Sequence, residues 1–403
     1  MSNVAALPPT APRLPFFGNA LTFLREPLGF LTGTRERHGD VVNVAIGPLK
    51  VTLVSHPDLV EDILVTRNRL WKKDRFLHET LRPVLGDGLL SSEGDFWRRQ
   101  RRLAQPAFHR DRIAGYADIM VAQASRLALI WRPGATRDVH ADMMRLTLEI
   151  VAETLFGTNV GDHAGNVGEA LESVLHVVTN PLELFFPFTR ELPTPGRRRF
   201  DRAVKELDAI IYGVIEKRRA GIEAGEGESN DLLSMLLHAK DDDGSRMSDK
   251  QLRDECMTLF LAGHETTAIN LSWTWLLLSQ HPEGDAKLKR EIDDVLGDRP
   301  ATFADLPKLR YASHVIAESL RLWFLPEPWE GDLAKTLHRY AYFPFGGGPR
   351  FCIGQAFAQM EAVLLLVTLA RSFRVEATKT PSPLPSVTLR PRNGLRVNLR
   401  SRS

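Results

Sequence analysis

The sequence predicts a mainly α-helical protein with small β-sheets. Two observations point to helices. One long stretch from Ser248 to Gln280 stops only before Pro282. Ile353 to Phe373 is apolar at helical spacing through Phe357, Met360, Val363, Leu364, Val367 and Leu369. A third observation limits the sheets: the alternating apolar runs are short and lie near the two ends of the chain. The 403 residues allow one large domain or two ordinary ones, and without internal repeats we expect one domain over residues 1–403. Hydrophobic content of 43% and charged content of 25% are ordinary for a soluble globular chain. The net charge of +2 gives no global field for nucleic acid. Cys256 and Cys352 are the whole cysteine complement, so no disulfide framework is expected, which fits a reducing, cytoplasmic compartment. Met1 to Arg13 holds no apolar run of bilayer length.

The elements follow in order. Residues 1–24 form a Pro-rich lead-in, extended from Leu7 to Pro15. Glu26 to His38 reads as a helix stopped by Gly39. Val41 to Ile46 and Val51 to Val54 read as a hairpin around Gly47-Pro48, and Pro57 to Val65 as a short helix. Asn68 to Leu90, with Pro83 and Gly86-Asp87-Gly88, reads as a loop-rich connection. Ser92 to Ala104 is a basic helix that puts Trp97 and Arg101 on one face. Ala114 to Ile130, Val139 to Phe156, Asn166 to Val178 and Pro195 to Ala220 are helices. Leu184 to Phe188 is an apolar cluster in a loop, Ala224 to Asn230 a linker, and Asp241 to Gly244 an acidic turn. Ser248, with Gln251 three later, forms a capping box for the long helix over 248–280. Helices over His281–Leu296 and Tyr311–Leu322 follow. Leu384 to Leu389 and Leu395 to Leu399 read as a terminal hairpin around Asn393-Gly394.

Two stretches break the ordinary pattern. The loop at 345–354, Phe345-Gly346-Gly347-Gly348-Pro349-Arg350-Phe351-Cys352-Ile353-Gly354, sets a thiol after a glycine run and just before a helix, where dipole and backbone N–H groups favour a thiolate. Such a thiolate can be the axial ligand of haem iron, with Arg350 in reach of a propionate and Gly348 and Gly354 letting backbone approach the macrocycle. A structural thiol in a tight turn is the alternative. Halfway along the long helix, Ala262-Gly263-His264-Glu265-Thr266-Thr267 collects small and polar residues that weaken a buried helix.

The spacing Phe-x-x-Gly-x-Arg-x-Cys-x-Gly is matched in full and resembles the cysteine loop of the cytochrome P-450 superfamily. The resemblance covers essentially the whole chain and rests on four landmarks in order: Trp97/Arg101, Ala262 to Thr267, Glu318/Arg321, and Phe345 to Gly354. It implies the cytochrome P-450 fold, with the long helix over haem b and the cysteine loop beneath it. It implies a haem-thiolate monooxygenase that inserts one oxygen atom from dioxygen into a hydrophobic small molecule. Cys352 would be the iron ligand, Phe345, Arg350 and Gly354 its loop, and Trp97 and Arg101 propionate partners. Ala262 and Gly263 would leave room for dioxygen, Thr266 would donate to it and Glu265 would relay protons. Glu318 and Arg321 would support the haem site. Electrons would come from a separate donor, a ferredoxin with its reductase or a flavodoxin, and Arg98, Arg99, Arg102 and Lys335 would form its basic docking face. The protein would be a soluble, bacterial-type monomer without a membrane anchor. Fatty acid, terpenoid and polyketide substrates stay open.

The sequence departs from the resembled pattern twice. A few tens of residues are missing between Arg321 and Pro326, a piece that normally supplies strands of the main sheet and a basic propionate partner. Pro328 stands where the resembled segment has an arginine that joins the Glu318/Arg321 pair. The main sheet is therefore expected to be incomplete, with His338 or Arg339 as candidate substitutes for the lost basic residue. A haem-binding but catalytically impaired protein is the alternative function.

Overall fold

The computed structural model describes residues 7–157, 194–225, 231–241, 244–321, 337–386 and 388–402, together with Ala170, Thr189 and Leu192. Apart from Ala170, the predicted helix at 166–178 lies outside the described residues, as do the cluster at 184–188, Pro326 to Trp329 and Lys335. The chain divides into two compact units: residues 1–72, 179–193 and 335–352, and the remainder.

In the first unit, α1 (Ala20–Arg25) and α2 (Pro27–His38) pack on a hairpin of β1 (Val41–Ile46) and β2 (Leu49–Val54). The Pro-rich lead-in is extended because proline fixes φ and gives up a donor. It still pairs with β1, where Asn43 N donates to Pro9 O and Ala11 N to Asn43 O. Val42, Val44 and Ile46 of β1 form a small core with Phe30, and Phe23 meets Phe30 edge-on. α3 (Pro57–Glu61) continues into a wider turn over Asp62–Thr66.

The second unit holds the larger core. Its elements are α4 (Arg75–Leu85), α5 (Gly94–Ala104), α6 (Arg110–Ala114), α7 (Ala117–Ile130), β3 (Thr136–Asp138), α8 (Val139–Phe156), α9 (Pro195–Glu223), α10 (Leu232–His238), α11 (Asp249–Gln280), α12 (Pro282–Leu296), α13 (Arg310–Ser319), α14 (Gln355–Ala370), β4 (Phe373–Ala377), β5 (Pro383–Pro385), β6 (Leu389–Pro391) and β7 (Arg396–Ser401). α11 is the axis of this unit. It packs on α8, α9, α13, α14 and β4, and 22 of its 32 residues are buried. Its capping box is formed: Ser248 N donates to Gln251 Oε1 at 2.8 Å, and Gln251 N to Ser248 Oγ at 3.3 Å. Among the described residues, Arg110–Ile130 alone is long and apolar enough for a bilayer, and its helix α7 packs on α14 and α8 in the core.

Two expectations are corrected. Residues 75–85 are a helix, not a loop, despite Pro83. Val84 and Leu85 are buried at its end, so packing outweighs the one backbone bond that proline removes. The terminal hairpin does not form. β6 pairs with β5, whereas β7 is the centre of an antiparallel β3-β7-β4 sheet. Alternation places Val397 and Leu399 on a buried face, yet says nothing of which strand lies alongside.

Asp138 joins this sheet to α8. Its Oδ1 accepts from His140 N at 3.0 Å and Ala141 N at 3.3 Å as the helix cap, and from Leu395 N at 3.0 Å. Asp138→Ala orphans three backbone donors and should cost about 2 kcal/mol in urea unfolding. A loss below about 0.5 kcal/mol would show that the cap is not a stabilising joint.

Candidate active site

The polar segment of α11 sits at mid-helix, and its residues divide by face. Ala262 and Thr266, one turn apart, are exposed within this mostly buried helix. Thr266 Oγ1 donates back to Ala262 O at 2.8 Å, the usual outlet for a hydroxyl inside a helix. Gly263, half-buried beside them, also serves packing. A Cβ there would lie 3.0 Å from Val151 Cγ2, so the missing side chain lets α8 approach. His264 is buried and structural. Its carbonyl accepts from Thr147 Oγ1 at 2.8 Å, and burial favours its neutral ring.

Glu265 is buried beside two residues that sequence reasoning missed. Its Oε1 accepts from Thr388 Oγ1 at 2.6 Å and from Arg390 Nε at 2.8 Å, with Arg390 Nη2 also at 2.8 Å. A buried carboxylate demands such a partner, but the 125-residue separation hides which cation supplies it. Holding the acid at one oxygen by a guanidinium N–H and a hydroxyl fixes its place next to Thr266.

Upstream on α11, two more acids hold the loop that leads to α5. Asp254 accepts from Asp87 N at 2.9 Å, and Glu255 from Leu89 N at 3.0 Å. Gly86 and Gly88 permit this approach, since a Cβ would meet the Asp254 carboxylate at 2.0 Å and Thr258 Oγ1 at 2.2 Å. Burial pushes the Glu255 carboxyl up to about 8. On α5, Trp97 is buried, and it borders an open recess of about 400 Å³ with Arg98, Arg101, Arg102, Gln105, Pro106 and His109.

The arginines of the expected basic docking face each have an acidic neighbour. Arg98 pairs with Asp95, and both Arg99 and Arg102 are held by Asp241. Asp241 belongs to the acidic turn, whose partner the sequence did not reveal. His338 is likewise engaged, with Nε2 at 3.2 Å from Asp58 and 3.5 Å from Glu61, and Arg339 lies over the Tyr340 ring. Glu318 is fully buried with Arg321 Nε at 3.4 Å, so the pair is formed.

The cysteine loop in the first unit is closed by backbone. Gly346 N donates to Phe343 O at 2.9 Å, Phe351 N to Gly348 O at 3.1 Å and Cys352 N to Phe345 O at 3.0 Å. Cys352 is exposed, and Arg350 is exposed two residues earlier. Each glycine of the run has its own reason. Gly346 and Gly348 have φ of 74° and 65°, and Gly347 lies against the Tyr340 ring. A Cβ on Gly348 would come within 1.9 Å of Leu64 O. Gly354 is unlike them, because a Cβ there would make ordinary contact with Phe108 at 3.8 Å.

A family profile described as cytochrome P450 matches residues 8–325 and 323–398. The chain belongs to the cytochrome P450 family. The profile splits where the sequence runs short after Arg321. Cyclooctatin synthase of Streptomyces melanosporofaciens is 35% identical over 433 positions, covering 94% of this chain and 91% of the relative. Cyclooctat-9-en-7-ol 5-monooxygenase of the same organism is also 35% identical, over 438 positions, with 94% and 91% covered. Pentalenene oxygenase of Streptomyces avermitilis is 31% identical over 454 positions, covering 100% and 99%. These alignments are longer than the 403-residue chain, so the relatives carry residues that it lacks. The chain is a cytochrome P450 monooxygenase, and the cofactor of its family is haem b.

The residues present fit that group. A soft sulfur donor stands exposed on a closed, glycine-shaped loop, which suits thiolate ligation of iron. The exposed Ala262 and Thr266 give the buried α11 an open face with a hydroxyl on it. The loop predicts opposite fates for its glycines. Gly348→Ala should lose most haem from the purified protein, from a left-handed φ worth about 1–2 kcal/mol and the clash with Leu64. Gly354→Ala should keep it. Equal haem content in both variants would contradict this assignment of the glycines.

Proposed function

We propose that this P450 hydroxylates an apolar, terpene-like hydrocarbon in the cytoplasm with electrons from a separate ferredoxin- or flavodoxin-type donor. The observation that carries the catalytic part is the pairing, on one mid-helix turn, of an exposed hydroxyl at Thr266 with a buried, clamped acid at Glu265. The substrate class is supported by two relatives, a cyclooctat-9-en-7-ol 5-monooxygenase and a pentalenene oxygenase.

When bound, haem supplies the iron at which dioxygen is split, one atom entering the substrate and the other leaving as water with two electrons and two protons. The chain's own residues have assigned parts. Cys352 holds the iron from the loop built on Phe345 and closed near Gly354. Trp97, Arg101 and Arg350 bind propionates, the guanidiniums by the fork that suits a carboxylate. Ala262, with Gly263 behind it, keeps the exposed face of α11 shallow. Thr266 donates its hydroxyl proton into the site, and Glu265 restores it. Thr388 and Arg390 both hold Oε1, which leaves Oε2 as the oxygen that carries the proton. Glu318 and Arg321 brace the fold beneath.

The short connection after Arg321 and Pro328 favour the second reading, a haem-binding but impaired protein. Two measurements separate them. Polycyclic terpene hydrocarbons should shift the Soret band of the ferric protein to shorter wavelength, and turnover under labelled dioxygen should leave one labelled atom in the product. A response to fatty acids alone would overturn the substrate class, and binding without product at any donor would favour the impaired reading. Thr266→Ala should consume electrons at a similar rate but release hydrogen peroxide in place of product. Unchanged coupling would remove Thr266 from proton delivery.

A further inference from the structure

Glu361 is a second buried acid, and the chemistry above leaves it unused. It lies on α14, nine residues after Cys352, and is 0% exposed. Among the described residues, neither carboxyl oxygen has a hydrogen-bond partner. Around it on α14 are Met360, Ala362, Val363 and Leu364, all buried and apolar. An orphaned acid in such a core costs free energy that a leucine would not, so a function is the better explanation of its presence.

The helix it meets is α11, which carries Glu265 and Thr266. α14 packs on α11, and Thr267 is the polar group that acts on Glu361. Thr267 is buried, and its hydroxyl donates only weakly to Gly263 O, at 3.4 Å. Further along α11, Asn270 and Thr274 continue at helical spacing and share Ser319 of α13. Ser319 Oγ donates to Asn270 Oδ1, and Thr274 Oγ1 lies 2.9 Å from Ser319 Oγ. A polar seam therefore runs along α11 from Thr267 to Thr274, through an otherwise apolar core, and Glu361 stands at its oxygen-segment end.

We propose that Glu361 is a positioning residue: as a neutral acid it donates to the Thr267 hydroxyl and so fixes the turn of α11 that carries Glu265 and Thr266. The proposal rests on the assignment of proton delivery to those two residues. The direction of the bonds follows from the protonation state. As an acid, Glu361 donates to Thr267 Oγ1, which keeps its own proton on Gly263 O, and the two bonds strengthen each other. As a carboxylate it can only accept, so Thr267 must turn away from Gly263. Burial supports the neutral form by pushing the Glu361 carboxyl up to about 8, against a smaller opposite pull from Thr267. Several ionisable groups of the packed elements are exposed or paired. Asp118 and Arg126 of α7 are exposed, Glu265 of α11 is held by Arg390, and Glu318 of α13 is paired with Arg321. His314 is also on α13, Arg110, Asp111 and Arg112 are on α6, and Arg374 and Glu376 on β4.

The test uses the full-length, haem-loaded protein and the variants Glu361→Gln, Glu361→Leu and Thr267→Val between pH 6 and 9.5. Wild-type coupling, product formed per electron pair, should fall several-fold as pH rises through about 8. Glu361→Gln keeps a donor and cannot ionise, so its coupling should stay flat. Glu361→Leu should unfold no more easily than wild type yet release several-fold more peroxide at every pH. Thr267→Val should do the same. Two readouts do not depend on turnover. The protonated-carboxyl band in the infrared should vanish in Glu361→Gln and titrate near pH 8 in wild type. Because the folded carboxyl titrates above its unfolded value of 4.5, wild type should lose stability against Glu361→Gln as pH climbs from 4.5 towards 8. If wild type and Glu361→Gln share one coupling profile, or Glu361→Leu couples like wild type, the positioning role is overturned. Failure of Thr266→Ala to uncouple, with the Glu361 profile as expected, would instead fault the assignment to Thr266.

Discussion

A long helix that is buried and also polar constrains most of this structure. α11 carries Arg253, Asp254, Glu255, His264, Glu265, Thr267, Asn270, Ser272 and Thr274 at buried positions. Such groups are costly there alone, and most of them recruit something from another element. Arg253 takes Asp208 of α9 and Val84 O of α4. Asp254 and Glu255 take the backbone of residues 87 and 89, Glu265 takes Arg390 and Thr388, and His140 of α8 takes Ser272. Distant pieces of the second unit are thereby tied to one axis.

The same constraint explains the chemistry proposed for the site. The exposed Thr266 and the buried Glu265 are neighbours in sequence but lie on different faces of the helix. One is exposed, while the other is buried and held by Arg390. The cysteine loop meets a different demand, that of presenting a thiol on a backbone that cannot relax. Positive φ at Gly346 and Gly348, ring contact at Gly347 and the Leu64 carbonyl together leave that backbone little freedom.

Much of this was legible in the sequence because it is local. The capping box of α11, its end before Pro282, the first hairpin and the apolar face of α14 follow from spacing and turn residues. The cysteine loop follows from ten consecutive residues. What the sequence hid depends on partners far apart in the chain. Arg390 for Glu265, Asp241 for Arg99 and Arg102, and Val151 behind Gly263 follow no period. The terminal hairpin failed for the same reason: Asn393-Gly394 does make a turn with φ of 64° and 77°, but β7 finds better partners in β3 and β4. The glycines show the limit best, since one motif asks for Gly348 and Gly354 alike while packing needs only the first.

The most direct test is the carbon monoxide difference spectrum of the reduced, purified protein. A strongly red-shifted Soret band, lost in Cys352→Ala, is expected if the Cys352 thiolate holds iron in an ordered site despite the shortened connection after Arg321. An unshifted band, or a protein that takes up no haem, would contradict the account.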